Sequence, residues 1–172
     1  LSVRMRNPEF VKAAFSAIAT RYVATNHVLS MGVDLLWRQR VVQLVSEWKP
    51  ERLLDLATGT GDLAIQLARA IPAATVTGID LSEGMLAVGR RKVSEAGFES
   101  RVTLTQGDCL SLPFPDGSFD VVTVAFGVRN FEHLDRGYAE MARVLRPGGK
   151  LVVLELSVPP SPLVRPFYKL YT

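Results

Sequence analysis

Asp55-Leu56-Ala57-Thr58-Gly59-Thr60-Gly61-Asp62 is the stretch on which the reading of this chain turns. Immediately before it, Arg52–Leu56 is a short apolar run of strand length, and immediately after it Leu63, Ala64, Leu67, Ala68 and Ile71 recur at helical spacing. Gly59 and Gly61 between them permit a tight turn and let a ligand approach the backbone closely. A strand that passes through a glycine turn into an amphipathic helix opens a βαβ unit.

Downstream the same alternation repeats. Thr75–Ile79 is a β-branched second strand, after which Ser82 caps a helix bearing Met85, Gly89, Val93 and Ala96, and Gly97 ends it. Arg101–Gln106 reads as a third strand, and Val121–Phe126 as a fourth, apolar throughout and so buried on both faces. A helix with Leu134, Tyr138, Met141 and Leu145 inward follows, and Pro147-Gly148-Gly149 breaks it to launch a fifth strand, Lys150–Leu156. Strict strand–helix alternation predicts an α/β, doubly wound, mostly parallel sheet with right-handed crossovers.

Upstream, Asn7 and Pro8 open a helix whose Phe10, Val11, Ala14, Phe15 and Ile18 form one stripe. A second helix starts near Val33, carries Trp37, Val41, Leu44, Val45 and Trp48 on one face, and ends at Lys49-Pro50. Three regions follow: an N-terminal helical lid over 1–50, an α/β domain over 51–157, and an extended segment over 158–172. Four prolines between Val158 and Pro166 keep that last segment out of regular structure.

Composition narrows the function classes. The 172 residues suffice for one domain, and 48% hydrophobic with 22% charged residues excludes a disordered chain. Net charge is only +3, and Arg90-Arg91-Lys92 lacks interleaved aromatics, so it reads as a solvated helix face and no nucleic-acid partner is expected. Cys109 has no second cysteine to pair with, and two isolated histidines offer no metal-ligand spacing. No signal peptide and no membrane-spanning run is expected, which suits a cytoplasmic protein.

Open α/β sheets bind ligands at the carboxyl ends of their strands. Four acids stand near such ends. Asp55 and Asp62 bracket the turn of Gly59 and Gly61; Asp80 ends the second strand; Asp108, followed by Cys109, ends the third. Gly59-x-Gly61-x-x-Ala64 also fits a dinucleotide fingerprint, and Asp80 stands roughly 20 residues on, where a nicotinamide enzyme holds its ribose. Charge separates the two readings. A pyrophosphate wants the bare positive end of the helix, whereas two carboxylates there repel it and attract the ammonium and sulfonium of S-adenosylmethionine. Asp80 suits the ribose hydroxyls, Asp108 the adenine amino group, and the Cys109 N–H the adenine ring.

These segments, with Leu145-Arg-Pro-Gly-Gly-Lys150 before the fifth strand, resemble class I S-adenosylmethionine-dependent methyltransferases. Phe15–Tyr22, Asn26, Leu29-Ser30, Gly32, Trp37-Arg38, Phe126–Asn130 and Arg143–Ser157 narrow the resemblance to the ubiquinone/menaquinone biosynthesis C-methyltransferases. Val23 and Asp34 depart from that pattern, which usually has an acid and a histidine there. The resemblance implies S-adenosyl-L-methionine as methyl donor, with Thr60, Asp80, Asp108, Cys109 and Ala125 at cofactor-touching positions. It implies a polyprenylated quinol substrate, demethylmenaquinol or the benzoquinol precursor of ubiquinone, and two further strands beyond the fifth. Arg129 is then the residue expected to stabilise a phenolate or hold a proton-accepting water, with Asn130 and Tyr22 orienting the ring hydroxyls. Peripheral contact with the inner face of a membrane and homo-oligomerisation are compatible with this reading. A different small or lipidic acceptor, or a non-catalytic cofactor-binding subunit of a biosynthetic complex, remain the alternatives.

Overall fold

The computed structural model describes residues 33–155. The first helix expected from Asn7, the prolines after Val158 and Tyr22 lie outside the described residues, as does most of the region expected to form a lid. The elements run α1 (Val33–Glu47), β1 (Arg52–Leu56), α2 (Asp62–Ala70), β2 (Thr75–Asp80), α3 (Glu83–Glu95), β3 (Val102–Gln106), β4 (Phe119–Ala125), a 3₁₀ turn (Val128–Asn130), α4 (Leu134–Val144) and β5 (Leu145–Leu154).

The five strands form one parallel sheet in the order β3-β2-β1-β4-β5. Strand order therefore reverses between β1 and β4, and their carboxyl ends, Leu56 and Ala125, bound the crevice where such sheets take ligands. Side-chain alternation along β1 divides the core. Leu53 packs with Val41 and Val45 of α1, the apolar face of α2, and Leu86 and Val93 of α3. Leu54 and Leu56 pack on the opposite face with Met141 and Val144 of α4. Burying each of these leucines contributes about 1.5–3 kcal/mol. All of β4 up to Val124 is buried, as its continuous apolar run requires.

At the amino ends of the strands, Asp120 closes the sheet: its Oδ2 accepts the N–H groups of Glu51 and Arg52 at 2.6 and 2.8 Å, and its Oδ1 meets Arg146 at 3.1 Å.

Three expectations are corrected. Strand and helix do not alternate strictly, because residues 107–118 carry the chain from β3 to β4 without a helix. Pro113 and Pro115 forbid one there. Arg143 of α4 holds this connection instead, donating to the carbonyls of Leu112 (3.0 Å) and Phe114 (2.7 Å) while Glu140 accepts from the Leu112 N–H at 2.7 Å. Its guanidinium pulls the Glu140 carboxyl down to about 2.

Secondly, Leu134 and Tyr138 are exposed, and α4 buries Gly137, Met141 and Val144. A Cβ on Gly137 would come within 2.5 Å of the Phe131 ring, so a glycine occupies the core face to admit a large neighbour. On α1, Trp37 and Trp48 are likewise exposed while Val41 and Val45 are buried. Thirdly, β5 begins at Leu145, ahead of Pro147: Arg146–Gly149 bulges out of the ladder, which resumes at Lys150 opposite Val121. A residue before proline favours extended backbone, so the helix yields before the Pro-Gly-Gly is reached.

Candidate active site

The turn after β1 is built on left-handed backbone. Gly59 and Gly61 have φ of 57° and 72°, which a side chain would resist. Among the described residues three non-glycines also adopt positive φ; Lys49 does so after α1, and the other two are Ala57 at 50° and Phe126 at 59°. Ala57 and Phe126 stand just past the ends of β1 and β4, on the two sides of the crevice. Such conformations cost of order 1–3 kcal/mol each and cluster at functional sites.

Asp80 ties the turn to β2. Its Oδ2 accepts the Gly59 N–H at 2.8 Å, and its Oδ1 accepts the Ser82 N–H at 2.9 Å. Burial raises its pKa, against the pull of the N–H groups of Ser82, Gly59 and Leu81. Each oxygen retains a lone pair for a further donor.

Asp55 lies opposite Thr123 in the ladder and is buried. It accepts from the hydroxyls of Thr58 (2.6 Å) and Thr123 (2.7 Å). Burial pushes its carboxyl up to about 6, although those hydroxyls and the charge of Arg38 oppose the shift.

Across the crevice, Phe126 is flanked by two guanidiniums, Arg38 of α1 at 5.4 Å and Arg129 at 6.0 Å from the ring centroid. Trp37 adds a tilted ring contact at 6.2 Å. Arg129 pairs with Glu155, just past β5, at 3.2 Å, and its N–H also meets that carboxylate at 3.2 Å. Asn130 closes the 3₁₀ turn by donating its N–H to the Gly127 carbonyl at 3.0 Å. The two walls touch at Gly127, where an added Cβ would fall 2.4 Å from Ala57 Cβ. Gly127→Ala should therefore cost about 1–3 kcal/mol in a denaturant titration, as overpacking does. An unchanged midpoint would show that the strand ends can part freely.

A model of the ubiE/COQ5 methyltransferase family matches residues 3–172. The chain belongs to that family. A demethylmenaquinone methyltransferase from Thermus thermophilus is 51% identical over 91% of the chain and 70% of its own length. A ubiquinone/menaquinone biosynthesis C-methyltransferase from Geobacter sulfurreducens is 45% identical over 95% of the chain and 64% of its own length. The chain thus spans about two thirds of these relatives. Among solved structures, the cyclase SpnF matches with a TM-score of 0.75 at 26% identity, covering 90% of the chain and 62% of its own. A SAM-dependent methyltransferase from Aquifex aeolicus matches with a TM-score of 0.59 at 23% identity over 65% of the chain and 60% of its own, a likeness of fold alone.

Within this ubiE/COQ5 member, Asp55, Gly59, Gly61, Asp80, Ala125, Arg129 and Asn130 all stand at or just past the carboxyl ends of β1, β2 and β4. Asp108 and Cys109 follow β3. The Asp108 carboxylate is on an exposed residue and accepts the Leu110 N–H at 2.8 Å, whereas Cys109 is buried, which pushes its thiol up to about 12. A thiol so raised is a packing group, so only the backbone of Cys109 can serve a ligand.

Two residues of the turn reach toward α3. The Thr60 hydroxyl donates to Asp62 at 2.7 Å and accepts from Lys92 at 3.2 Å, so it faces the α2–α3 flank. Asp62 itself pairs with Lys92 at 2.9 Å, which largely cancels its charge. The negative field at the turn therefore comes from Asp55 and Asp80. The sequence reading overlooked Glu155 as the anchor of Arg129, although an acid just past the end of a strand carried the same signal as Asp80. It also named Arg38 only as part of a resemblance, without a role.

Proposed function

We propose that this chain is the donor-binding part of an S-adenosylmethionine-dependent C-methyltransferase acting on a polyprenylated quinol. The observation that carries the reading is the pair of acids, buried Asp55 and half-buried Asp80, on adjacent strand ends around Gly59. That arrangement fits a cationic adenosine ligand: Asp80 offers acceptors to vicinal ribose hydroxyls, the glycine turn admits close approach, and Asp55 offers negative charge to an ammonium. A pyrophosphate would meet two carboxylates instead. Asp108 and the Cys109 N–H extend the cradle toward an adenine ring, with Ala125 beneath.

When bound, the donor supplies an electrophilic methyl group. The chain's own residues have to hold the quinol against it and favour loss of the phenolic proton, which makes the adjacent ring carbon nucleophilic. That carbon forms the new bond as the sulfur–methyl bond breaks, and the ring proton then departs to restore aromaticity. Arg129, held by Glu155 beside Phe126, is the proposed group that stabilises the phenolate charge or a water that takes the proton. Asn130 and Tyr22 complete the proposed set around the ring hydroxyls. Leu35, Leu36 and Trp37, exposed on the first turns of α1 next to Phe126, offer an apolar approach for a polyprenyl tail at a membrane surface. Among the described residues no helix is long and apolar enough to cross a membrane.

Full-length protein incubated with methyl-labelled donor should transfer label to a short-chain demethylmenaquinol or its benzoquinol counterpart. Absence of label from both would overturn the substrate assignment.

Asp55 adds a pH dependence. Its folded pKa of about 6 lies above its ordinary value of 3.8, so the folded state holds a proton that the unfolded chain releases. The resulting stability is full below about pH 4 and is lost as pH rises through about 6. A cationic ligand reverses the preference, because it favours the carboxylate. Donor affinity should therefore fall, by up to about tenfold per pH unit, as pH drops below about 6. Asp55→Asn should bind weakly and without that slope; a variant with wild-type slope would remove Asp55 from the site.

A further inference from the structure

Arg38 projects from α1 to the carboxyl ends of β1 and β4. Its guanidinium lies over the Phe126 ring and close enough to Asp55 to favour that residue's ionised form. Its Nε is buried and, among the described residues, is the side-chain donor left without a hydrogen-bond acceptor. Asp34, one turn earlier, balances the charge at 3.9 Å but stands beyond hydrogen-bond reach. A guanidinium held in this way is set for an anionic acceptor that the described residues do not supply.

The methyl donor carries two cationic groups and a single anion, its amino-acid carboxylate. We infer that Arg38 binds that carboxylate and, with Asp55, forms a pair of opposite charges that recognises the zwitterionic end of the donor. The planar fork of an arginine matches a carboxylate through two parallel hydrogen bonds. Arg129 lies over the same Phe126 ring but is already paired with Glu155, which leaves it for the methyl acceptor. The two guanidiniums thus divide the crevice, one facing the donor's head and the other the reaction centre. This assignment rests on the cofactor proposed above.

Three adenosine ligands separate the possibilities by equilibrium titration of the full-length protein. S-adenosylmethionine has the whole amino-acid end, its decarboxylated form keeps only the ammonium, and methylthioadenosine has neither. Wild-type protein should bind the intact donor roughly tenfold or more tighter than the decarboxylated form. Arg38→Ala should lose about that factor in preference for the intact over the decarboxylated donor, with the affinity for methylthioadenosine unchanged, and Arg38→Lys should retain part of it. Equal weakening toward all three ligands would make Arg38 a structural residue. Equal wild-type affinity for the intact and decarboxylated donors would overturn the inference even if Arg38→Ala did not fold. If none of the three binds to wild-type protein, the cofactor reading fails, and this assignment fails with it.

Discussion

Arg129→Ala should lower turnover by roughly 10²–10⁴, the range expected when a group assisting proton transfer or charge stabilisation is removed. The geometry makes this loss specific. Arg129 sits on the 3₁₀ turn just past β4, with its guanidinium held at 3.2 Å by Glu155 and set over Phe126, whereas the proposed adenosine contacts lie on β2 and β3. Donor affinity should therefore hardly move while methyl transfer collapses. Arg129→Lys should restore only part of the rate, because an ammonium cannot keep both the Glu155 pair and a planar face toward a phenolate. Near-full turnover in Arg129→Ala would make the Arg129–Glu155 pair a brace between β4 and β5 and shift attention to Tyr22.

Asp80→Ala should weaken donor binding at least tenfold, and about a hundredfold if both ribose bonds are lost, since each hydrogen bond to a charged group contributes about 1.5–3 kcal/mol. Two effects combine. The ribose loses its acceptors, and the N–H groups of Gly59 and Ser82 lose the carboxylate that fixes the turn. Asp80→Asn separates them: an amide oxygen can keep one backbone bond but brings no negative charge. A loss in Asp80→Asn as large as in Asp80→Ala would assign the effect to charge; a much smaller one would assign it to the turn. Titration calorimetry with the demethylated product measures both, and an unchanged affinity in Asp80→Ala would remove this residue from the site.

Much of the architecture was legible because periodicity and breakers agreed. The continuous run of β4 required burial on both faces, Ser82 caps α3 with its hydroxyl 3.3 Å from the Met85 N–H, and Leu63, Ala64, Leu67, Ala68 and Ile71 are all buried. What was hidden depended on contacts distant in sequence. The helix-free path from β3 to β4 is stabilised by Arg143, a residue whose partners at Leu112 and Phe114 no local pattern announces. The core face of α4 was misjudged because apolar size was taken as the guide, whereas Phe131 needs a glycine opposite it at Gly137. The charge of the glycine turn was half misread for the same reason: Asp62 looked free until α3 brought Lys92 against it. The positions of Asp55 and Asp80 at strand ends were legible because they follow from the sheet alone. Their precise duties, with Asp80 bracing Gly59 and Asp55 shared between two threonines, belong to the folded state.

The choice of ligand rests on charge. Asp55 and Asp80 flank the turn that a dinucleotide would have to approach with a pyrophosphate, and Lys92, the cation on the α2–α3 flank, is occupied by Asp62. Equilibrium titration of the full-length protein with S-adenosylmethionine, its demethylated product and NADH compares the two chemistries directly. The account predicts saturable binding of S-adenosylmethionine and its product, weakened by Asp80→Ala, with no competition from NADH. Tight binding of NADH with no response to either adenosyl ligand would contradict it.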